Sequence, residues 1–332
     1  MIEVNELTKR YGGKTAVDQL SFTVRPGQVT GFLGPNGAGK STTLRLILGL
    51  ESPTGGAATV GGVPFHSHPR GLRHVGALLD AGQVHGGRSA TAHLSALARS
   101  NGISRRRVDE VLHQVGLAEA ATGRIGGFSL GMKQRLGVAT ALLGDPPVLM
   151  FDEPVNGMDP EGVLWMRRLL RRLAAEGRTV FLSSHLMSEM ENTADQLVVI
   201  GRGRLIAAES VRDFAARSTG LGVVVGTRQA AELTAVLRAA GALVEPEGSA
   251  GSAGAEKLAV TGLPADRIAA LAFENGILLN ELTTRTASLE EAFMELTADS
   301  VEYQAGQPDD HNRLRPRNRC GRAPRRAAGP LP

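Results

Sequence analysis

Cysteine and long apolar segments are what this sequence most clearly lacks. Among its 332 residues there is a single cysteine, Cys320, which excludes a disulfide framework and a multi-cysteine zinc or iron–sulfur site and is typical of a reducing compartment. The chain contains no apolar run of about 18 residues, the length that spans a bilayer. Its first residues lack the basic and apolar segments of a signal peptide. We therefore expect a soluble cytosolic protein.

Lysine is scarce as well, and the net excess of positive charge is due to arginines at one end of the chain. The formal net charge is +4. Seven arginines and no acidic residue follow Asp310, and without them the chain has 30 basic and 33 acidic residues. The body of the protein therefore lacks the basic surface of a nucleic-acid-binding fold, and no specific nucleic-acid partner is expected. Residues 299–332, rich in arginine and proline, are predicted to be disordered.

Apolar runs alternate with helical patterns over residues 1–218. Unbroken runs such as Val148–Phe151 are typical of strands buried on both faces, so the pattern predicts an α/β domain with a mainly parallel sheet. Residues from about 87 to 128 have the pattern of an inserted helical subdomain, and Val199–Glu209 that of a closing hairpin. Residues 219–298 show a different mixture of short strands and helices, which predicts a small C-terminal α+β accessory domain.

A glycine-rich segment lies between the apolar run Val29–Leu33 and a helical pattern. It matches the phosphate-loop pattern G-x-x-x-x-G-K-[ST] in the strand–loop–helix context that this pattern requires. Backbone N–H groups in such a loop, together with the helix N-terminus, face the oxygens of a bound phosphate. Lys40 is expected to lie along the β- and γ-phosphates of ATP, and Ser41 to give its hydroxyl to Mg²⁺. The predicted ATP-binding residues of this loop are Gly34, Pro35, Asn36, Gly37, Ala38, Gly39, Lys40, Ser41 and Thr42.

Two further apolar runs end in polar residues that suit phosphate chemistry. Val148–Phe151 is followed by Asp152 and Glu153. Asp152 is expected to hold Mg²⁺ through its water shell, and Glu153 to polarise the attacking water. His185 follows the strand-like run 179–182, and the carboxyl ends of parallel strands form the edge where open α/β sheets bind ligands. His185 is therefore predicted to contact the γ-phosphate and to orient the water.

Together these residues resemble the nucleotide-binding subunit of an ABC transporter, over about residues 2–215. The most specific element is Phe128–Arg135, which is similar to the family signature LSGGQ. Ser129 and Gly131 keep the second and fourth places of the signature, whereas Leu130 and Met132 depart from it at the third and fifth. In the family this segment binds the γ-phosphate of the nucleotide held by the opposing subunit. The resemblance thus implies a P-loop NTPase fold of the ABC type, with Ser129 and Gly131 as ATP-binding residues.

Other positions carry over from the family one at a time. Tyr11 matches the aromatic residue that stacks on adenine. Asp159, in the segment 156–159 that resembles the D-loop, is expected to reach across the dimer interface to the nucleotide. Asp80 occupies the place of the glutamine that ligates Mg²⁺ and senses the membrane subunit, and Gln83 lies three residues on. Asp80 and Gln83 both remain candidates for that role.

The resemblance also implies a function. Two copies would close head-to-tail around two ATP molecules, and hydrolysis would drive a separate membrane permease. The signature variant and the C-terminal domain look like the bacitracin-type, antibiotic-efflux branch, whose members pair with a six-helix ABC-2-type membrane protein. This implies a bacterial homodimer at the cytoplasmic face of the cell membrane, exporting a drug, an antibiotic or a lipid-like compound.

Two other classes of protein share part of this pattern. A soluble ABC ATPase of DNA repair or translation would carry the same nucleotide motifs, but such proteins usually have two cassettes in one chain or a long coiled-coil insertion, and the sequence shows neither. A regulatory nucleotide binder without enzymatic activity would lack Glu153 or His185, and both are present. The transporter ATPase is therefore the preferred interpretation.

Overall fold

The computed structural model describes residues 1–217, 222–247 and 256–285, and in addition residues 290, 293, 294 and 296. Within residues 1–217 the strands are β1 (Ile2–Tyr11), β2 (Lys14–Val24), β3 (Val29–Leu33), β4 (Gly55–Val60), β5 (Val75–Leu78), β6 (Val148–Asp152), β7 (Thr179–Ser184), β8 (Gln196–Gly201) and β9 (Arg204–Ser210). The helices are α1 (Lys40–Ile47), α2 (Ala90–Ser100), α3 (Arg105–Gln114), α4 (Leu130–Leu142), α5 (Pro160–Ala175), α6 (Met187–Glu191) and α7 (Val211–Arg217).

The main sheet has six strands in the order β5-β6-β7-β3-β8-β9. All neighbours are parallel except β8 and β9, which form the antiparallel hairpin expected near residues 199–209. The prediction of a mainly parallel sheet is thus confirmed. Because β6, β7 and β3 are adjacent and parallel, the segments that follow them meet at one edge of the sheet. These segments are the phosphate loop, the pair Asp152–Glu153, and His185.

Both faces of the main sheet are covered, because alternate residues of a strand point to opposite sides. In β6, Leu149 and Phe151 belong to one buried cluster with residues of α4 and α5, while Val148 and Met150 belong to a second cluster with α1, β1 and β2. Strands continuously rich in apolar residues are the expected consequence of this double burial. The phosphate loop and the pair Asp152–Glu153 therefore follow strands that are packed on both faces.

A second, three-stranded antiparallel sheet in the order β2-β1-β4 was not predicted. It packs on the main sheet through aromatic side chains, with the ring centroids of Phe22, Phe32 and Phe181 between 5.2 and 5.7 Å apart. Register shifts between Val4 and Leu7 and between Leu7 and Lys9 interrupt the alternation of apolar and polar residues along β1. The pattern that would reveal this strand is therefore broken in the sequence.

The segment 87–128, for which the sequence predicts a helical subdomain, contains α2 and α3. Ser89 caps α2, its hydroxyl accepting a hydrogen bond from the N–H of Ala92 at 3.2 Å. The long helix α4 follows and packs closely on β5. This packing connects the signature segment to the sheet, because the signature segment forms the start of α4.

The C-terminal part contains β10 (Gly222–Thr227), α8 (Ala230–Ala239), β11 (Leu243–Glu247), β12 (Glu256–Thr261), α9 (Ala265–Glu274) and β13 (Leu279–Arg285). Its strands form an antiparallel sheet in the order β11-β12-β10-β13, and α8 and α9 share a buried cluster with it. Strand β11 was not predicted. The prediction for residues 299–332 lies outside the described residues.

One aromatic side chain near the end of the described residues is buried in the cassette. Phe293, which lies in the stretch assigned from sequence to the accessory domain, is 6% exposed and belongs to the same buried cluster as Phe214 and the α4–α5 side of the main sheet.

Among the described residues, no helix combines the length and the apolar character needed to cross a membrane.

Candidate nucleotide-binding site

A cavity of 380 Å³ lies at the carboxyl edge of the main sheet. It is lined by residues 36–42 of the phosphate loop, by Tyr11, Lys14 and Ala16 of the antiparallel sheet, and by Glu153. Lys14 and Ala16 were not predicted, because neither belongs to one of the sequence motifs. The cavity brings together the predicted base-stacking residue, most of the phosphate loop and one acidic residue.

Within the phosphate loop, α1 begins after its N-cap Gly39, which has φ 103°. A Cβ atom there would lie 2.5 Å from the carbonyl oxygen of Ala16, so both the left-handed backbone and the close approach require glycine. No side chain caps the N-terminus of α1, and its first turn contains no acidic residue. The free N–H groups and the positive end of the helix dipole are thus available to an anion in the cavity.

Lys40 is the first residue of α1, and its side chain is only 6% exposed. Its ammonium group donates to the carbonyl oxygens of Gly34 at 2.6 Å and Pro35 at 3.3 Å, and Nζ lies 3.9 Å from Oε1 of Glu153. Burial lowers the pKa of Lys40 from the 10.5 of an ordinary lysine, and the negative charges of Glu153 and Asp152 oppose this shift. A buried cation is therefore held by neutral carbonyl groups and one nearby carboxylate.

Glu153 is the centre of the polar contacts at this edge. Nδ1 of His185 lies 3.0 Å from Oε2 of Glu153, and the side-chain amide of Asn156 donates to the same oxygen. The backbone of Glu153 has φ 46°, a left-handed conformation that is uncommon for a non-glycine residue. The other carboxylate oxygen of Glu153, Oε1, is the atom that lies 3.9 Å from Nζ of Lys40. The structure therefore brings Lys40, Glu153 and His185 together, as the sequence predicts.

Ser183, at the end of β7, is a site residue that the sequence analysis missed. It is fully buried, and its hydroxyl donates to Oδ1 of Asp152 and accepts a hydrogen bond from the N–H of Glu153 at 3.0 Å. One hydroxyl thus fixes both acidic residues. The available signal was weak: two serines ending an apolar strand immediately before His185. Its neighbour Ser184 points elsewhere and donates to Glu189 at 2.5 Å.

Tyr11 lies at the mouth of the cavity and is 47% exposed. Its hydroxyl donates to Glu51, which raises the pKa of Tyr11 and lowers the pKa of Glu51. The ammonium of Lys9 lies 4.9 Å from the centre of the tyrosine ring, and Arg45 pairs with Glu51 at 2.9 Å. These contacts fix the orientation of the ring. An oriented aromatic face next to a phosphate loop can stack on a nucleotide base.

The signature and D-loop residues lie outside the lining of this cavity. Ser129 is the N-cap of α4, and its hydroxyl accepts from the N–H of Met132 at 3.2 Å. Gly131 is in the first turn of the same helix. Asp159 is the N-cap of α5, and Oδ1 accepts from the N–H of Gly162 at 2.8 Å. The structure thus places the two predicted cross-subunit elements at helix N-termini, separate from the phosphate loop of their own chain.

Asp80 is not brought into contact with the other predicted ligands. It follows β5 at the carboxyl edge of the sheet, but its Oδ1 accepts a hydrogen bond from the N–H of Gly82 at 2.7 Å within its own turn. Gln83 closes the same turn, its N–H lying 3.4 Å from the carbonyl oxygen of Asp80. In the part of the chain that the structure describes, no three acidic, histidine or cysteine residues are grouped as a metal site.

Comparison with known proteins decides the family. Residues 17–156 match the family model described as ABC transporter, and residues 221–290 match a domain of unknown function (DUF8746). The chain is similar to the uncharacterized ABC transporter ATP-binding protein YhcH of Bacillus subtilis (strain 168), with 36% identity over 305 residues that cover 91% of this chain and 97% of YhcH. The chain belongs to the ATP-binding proteins of ABC transporters. It is thus an ABC ATPase that works with a membrane permease.

Further relatives of this ABC ATPase agree on the cassette. The bacitracin transport ATP-binding protein BcrA of Bacillus licheniformis is 43% identical over 209 residues, which cover 62% of this chain and 68% of BcrA. A solved ATP-binding subunit of an ABC transporter superposes with a TM-score of 0.61 and 28% identity, covering 65% of this chain and 92% of that structure. The predicted ABC-type P-loop fold is therefore confirmed.

Proposed function

We propose that this ABC ATPase binds ATP and Mg²⁺ in the 380 Å³ cavity, closes as a homodimer and drives an ABC-2-type permease that exports an antibiotic or a related compound. The observation that carries the proposal is the contact of Lys40, Glu153 and His185 at one edge of the sheet, beside the uncapped helix α1. The similarity to a protein named for bacitracin transport supports the substrate class. The protein would act at the cytoplasmic face of the cell membrane of a bacterium.

Nucleotide binding follows from the residues that line the cavity. The phosphates would occupy the N-terminus of α1, and the base would stack on Tyr11 at the mouth. Lys40 would exchange its contacts with the carbonyl oxygens of Gly34 and Pro35 for contacts with the β- and γ-phosphates. A phosphate supplies the negative charge that these neutral carbonyl groups lack, so the exchange favours ATP binding.

The residues present fit Mg²⁺ bound together with a nucleotide. Mg²⁺ prefers hard oxygen donors and is often held by one or two side chains, by several waters and by substrate phosphates rather than by a complete protein cage. Ser41 offers a hydroxyl in the cavity, and Asp152 offers a carboxylate that Ser183 connects to Glu153 in the cavity wall. Bound there, the ion would neutralise charge on the β- and γ-phosphates. Asp80 could offer Oδ2 while Oδ1 keeps its hydrogen bond from the N–H of Gly82, and Gln83 is the alternative.

Hydrolysis requires a water aligned with the γ-phosphorus, and Glu153 is the group that would align it. Its carboxylate would accept a hydrogen bond from the attacking water, whose oxygen forms the new bond to phosphorus as the bond to the β-phosphate oxygen breaks. His185 and Asn156 hold Oε2 of Glu153, and Ser183 holds its backbone N–H. These contacts pre-organise the carboxylate, and His185 would also contact the γ-phosphate.

The second copy would complete the site. Ser129 and Gly131 at the start of α4, and Asp159 at the start of α5, lie outside the lining of their own cavity. In a head-to-tail dimer they would face the nucleotide of the opposite copy, and the helix N-terminus at Ser129 would bind its γ-phosphate. ATP would then stabilise the closed pair, and hydrolysis would release it.

The test combines Glu153→Gln with a matched control, Glu161→Gln, in the exposed first turn of α5. Glu153→Gln is expected to keep ATP binding, to lower turnover by about 100-fold or more because it removes the water-aligning carboxylate, and to trap a closed dimer with ATP. Glu161→Gln is expected to behave as wild type. Phosphate release and size-exclusion chromatography with ATP and Mg²⁺ measure these effects, alone and with the co-expressed permease. Unchanged turnover, or a monomer in every condition, contradicts the proposal.

A further inference from the structure

The signature segment of this chain has a leucine at its third place, and the structure shows where that side chain rests. Leu130, although 54% exposed, lies over the backbone of Gly157 in the D-loop segment. A Cβ atom built on Gly157 would lie 2.0 Å from Cδ2 and 2.6 Å from Cγ of Leu130, well inside van der Waals contact. The leucine therefore fills the space that the glycine leaves open.

A second contact joins the same two segments. Gln134, one turn further along α4, is 7% exposed, and its side-chain amide donates to the carbonyl oxygen of Asn156 at 3.2 Å. The other amide atom of Gln134, Oε1, is buried without a partner among the described residues. Burying an unpartnered polar atom costs stability. A leucine or alanine at this position would avoid that cost, so the retained contact with Asn156 calls for a functional reason.

The D-loop segment touches the proposed catalytic group on its other side. The side-chain amide of Asn156 donates to Oε2 of Glu153, and the N–H of Asn156 lies 3.2 Å from the carbonyl oxygen of Glu153. The start of α4 is therefore connected to Glu153 through Asn156, which Gln134 contacts, and through the neighbouring Gly157, which Leu130 contacts. Both connections leave α4 on the same face, one turn apart.

We propose that Leu130 is a positioning residue: packed on Gly157, beside the hydrogen bond from Gln134 to Asn156, it holds the segment 156–159 against α4 and thereby fixes the carboxylate of Glu153 for hydrolysis. The inference rests on the proposed function, in which Glu153 aligns the water. In this scheme the departure of Leu130 from the family signature is matched by Gly157, and the two residues act as a pair. A change in the position of Ser129, at the N-terminus of α4, would reach the Glu153 of the same chain through this pair.

The experiment is a double-mutant cycle on the full-length protein with its permease. The variants are Leu130→Ala, Gly157→Ala and the double variant, with Gly177→Ala as the matched control. Gly177 also has a left-handed φ, of 88°, but nothing lies within 4 Å of its missing Cβ. Gly177→Ala therefore carries only the backbone cost of alanine at a positive φ. Turnover, KM for ATP and melting temperature are measured for each variant.

If Leu130 and Gly157 act as a pair, Gly157→Ala lowers kcat on the order of 10-fold because Glu153 is displaced, while KM changes less than about 2-fold. Adding Leu130→Ala removes the clash, so the double variant is expected to recover to the turnover of Leu130→Ala alone. Gly177→Ala is expected to lower the melting temperature without lowering kcat. Recovery of kcat in the double variant supports the proposal.

Other outcomes overturn the proposal in distinguishable ways. Additive effects of the two substitutions on both kcat and melting temperature would show that the pair is not coupled. Coupling in melting temperature without coupling in kcat would reduce the contact to a structural one. A wild-type protein that hydrolyses no ATP with its permease would instead refute the proposed function, while the melting temperatures still report whether Leu130 and Gly157 are in contact.

Discussion

The nucleotide edge of the cassette and the C-terminal sheet treat buried polar groups differently. At the nucleotide edge, Lys40 and Ser183 are both buried. Lys40 donates to Gly34 and lies near the carboxylate of Glu153, and Ser183 donates to the carboxylate of Asp152. In the C-terminal part, across residues 222–247 and 256–285, the buried polar side chain is Thr227, whose hydroxyl bonds to Leu278 O and Gln229 N. The threonine closes a turn and needs no ligand.

The burial of charged groups distinguishes a binding site from a purely structural region. Removing charged groups from water is costly, and a network of buried ions is weak evidence for stability. The cassette carries that cost at the edge where ATP is proposed to bind, whereas in the described C-terminal part the ion pair of Lys257 with Glu281 is partly exposed on the sheet surface. We therefore expect substitutions of equal size to affect turnover at the nucleotide edge and stability alone in the C-terminal part.

Next to Glu153→Gln, the largest effect on turnover is expected from Ser183→Ala. This substitution removes the hydroxyl that fixes both Asp152 and Glu153, so the two carboxylates lose their relative position, and kcat should fall on the order of 100-fold. The matched control is Ser184→Ala, the next residue of β7, which is equally buried but bonds to Glu189. ATPase assays of the two variants decide the matter. Equal losses in both would mean that Ser183 has no special role.

A smaller effect, on ATP affinity, is expected from raising the pH. Because burial lowers the pKa of Lys40 below the 10.5 of an ordinary lysine, raising the pH should neutralise Lys40 and weaken ATP binding before pH 10.5 is reached. Over that interval the unfolded chain binds more protons than the folded one, so the stability of the ATP-free protein should rise with pH. Calorimetric ATP titrations measure the effect, with Lys40→Arg as the control that stays charged. ATP affinity that holds constant up to pH 10.5 would contradict it.

The smallest effect on turnover is expected in the C-terminal part. Leu237 of α8 is fully buried, and Leu237→Ala should lower the local free energy of unfolding by about 2–5 kcal/mol. Turnover should stay within about 2-fold of wild type, because no site residue is touched. Leu243→Ala serves as the control, since Leu243 is 73% exposed. Hydrogen exchange measures stability here; a large loss of kcat in Leu237→Ala would break the contrast between the two regions.

The same contrast explains how far the sequence could be interpreted. The phosphate loop, Glu153 and His185 were predictable because parallel strands bring the segments after them to one edge, whatever their separation in the chain. Ser183 was not, because a serine at a strand end is common and its two contacts depend on how β6 and β7 align. Strand β1 escaped prediction because its irregular pairing hides the period of two.

Asp80 marks another limit of sequence interpretation. Its place after β5 is compatible with a metal ligand, but the conformation of its turn directs the carboxylate to Gly82. An aspartate side chain that accepts from the N–H two residues on is a local turn preference, and the ligand prediction for Asp80 did not take it into account. The roles of Ser129 and Asp159 depend on a second copy, so neither the sequence nor one chain's geometry tests them, and they stay predictions.

Phe293 gives the C-terminal part a further importance. Because this side chain belongs to the cassette's own buried cluster, a polypeptide that ends before residue 293 would leave a cavity in that cluster and destabilise the ATPase part that the truncation was meant to isolate. Loss of transport in such a truncated protein could then result from a destabilised ATPase part as readily as from the missing C-terminal part. Dissecting the accessory part therefore calls for point substitutions on its own sheet and helices, leaving this aromatic anchor in place.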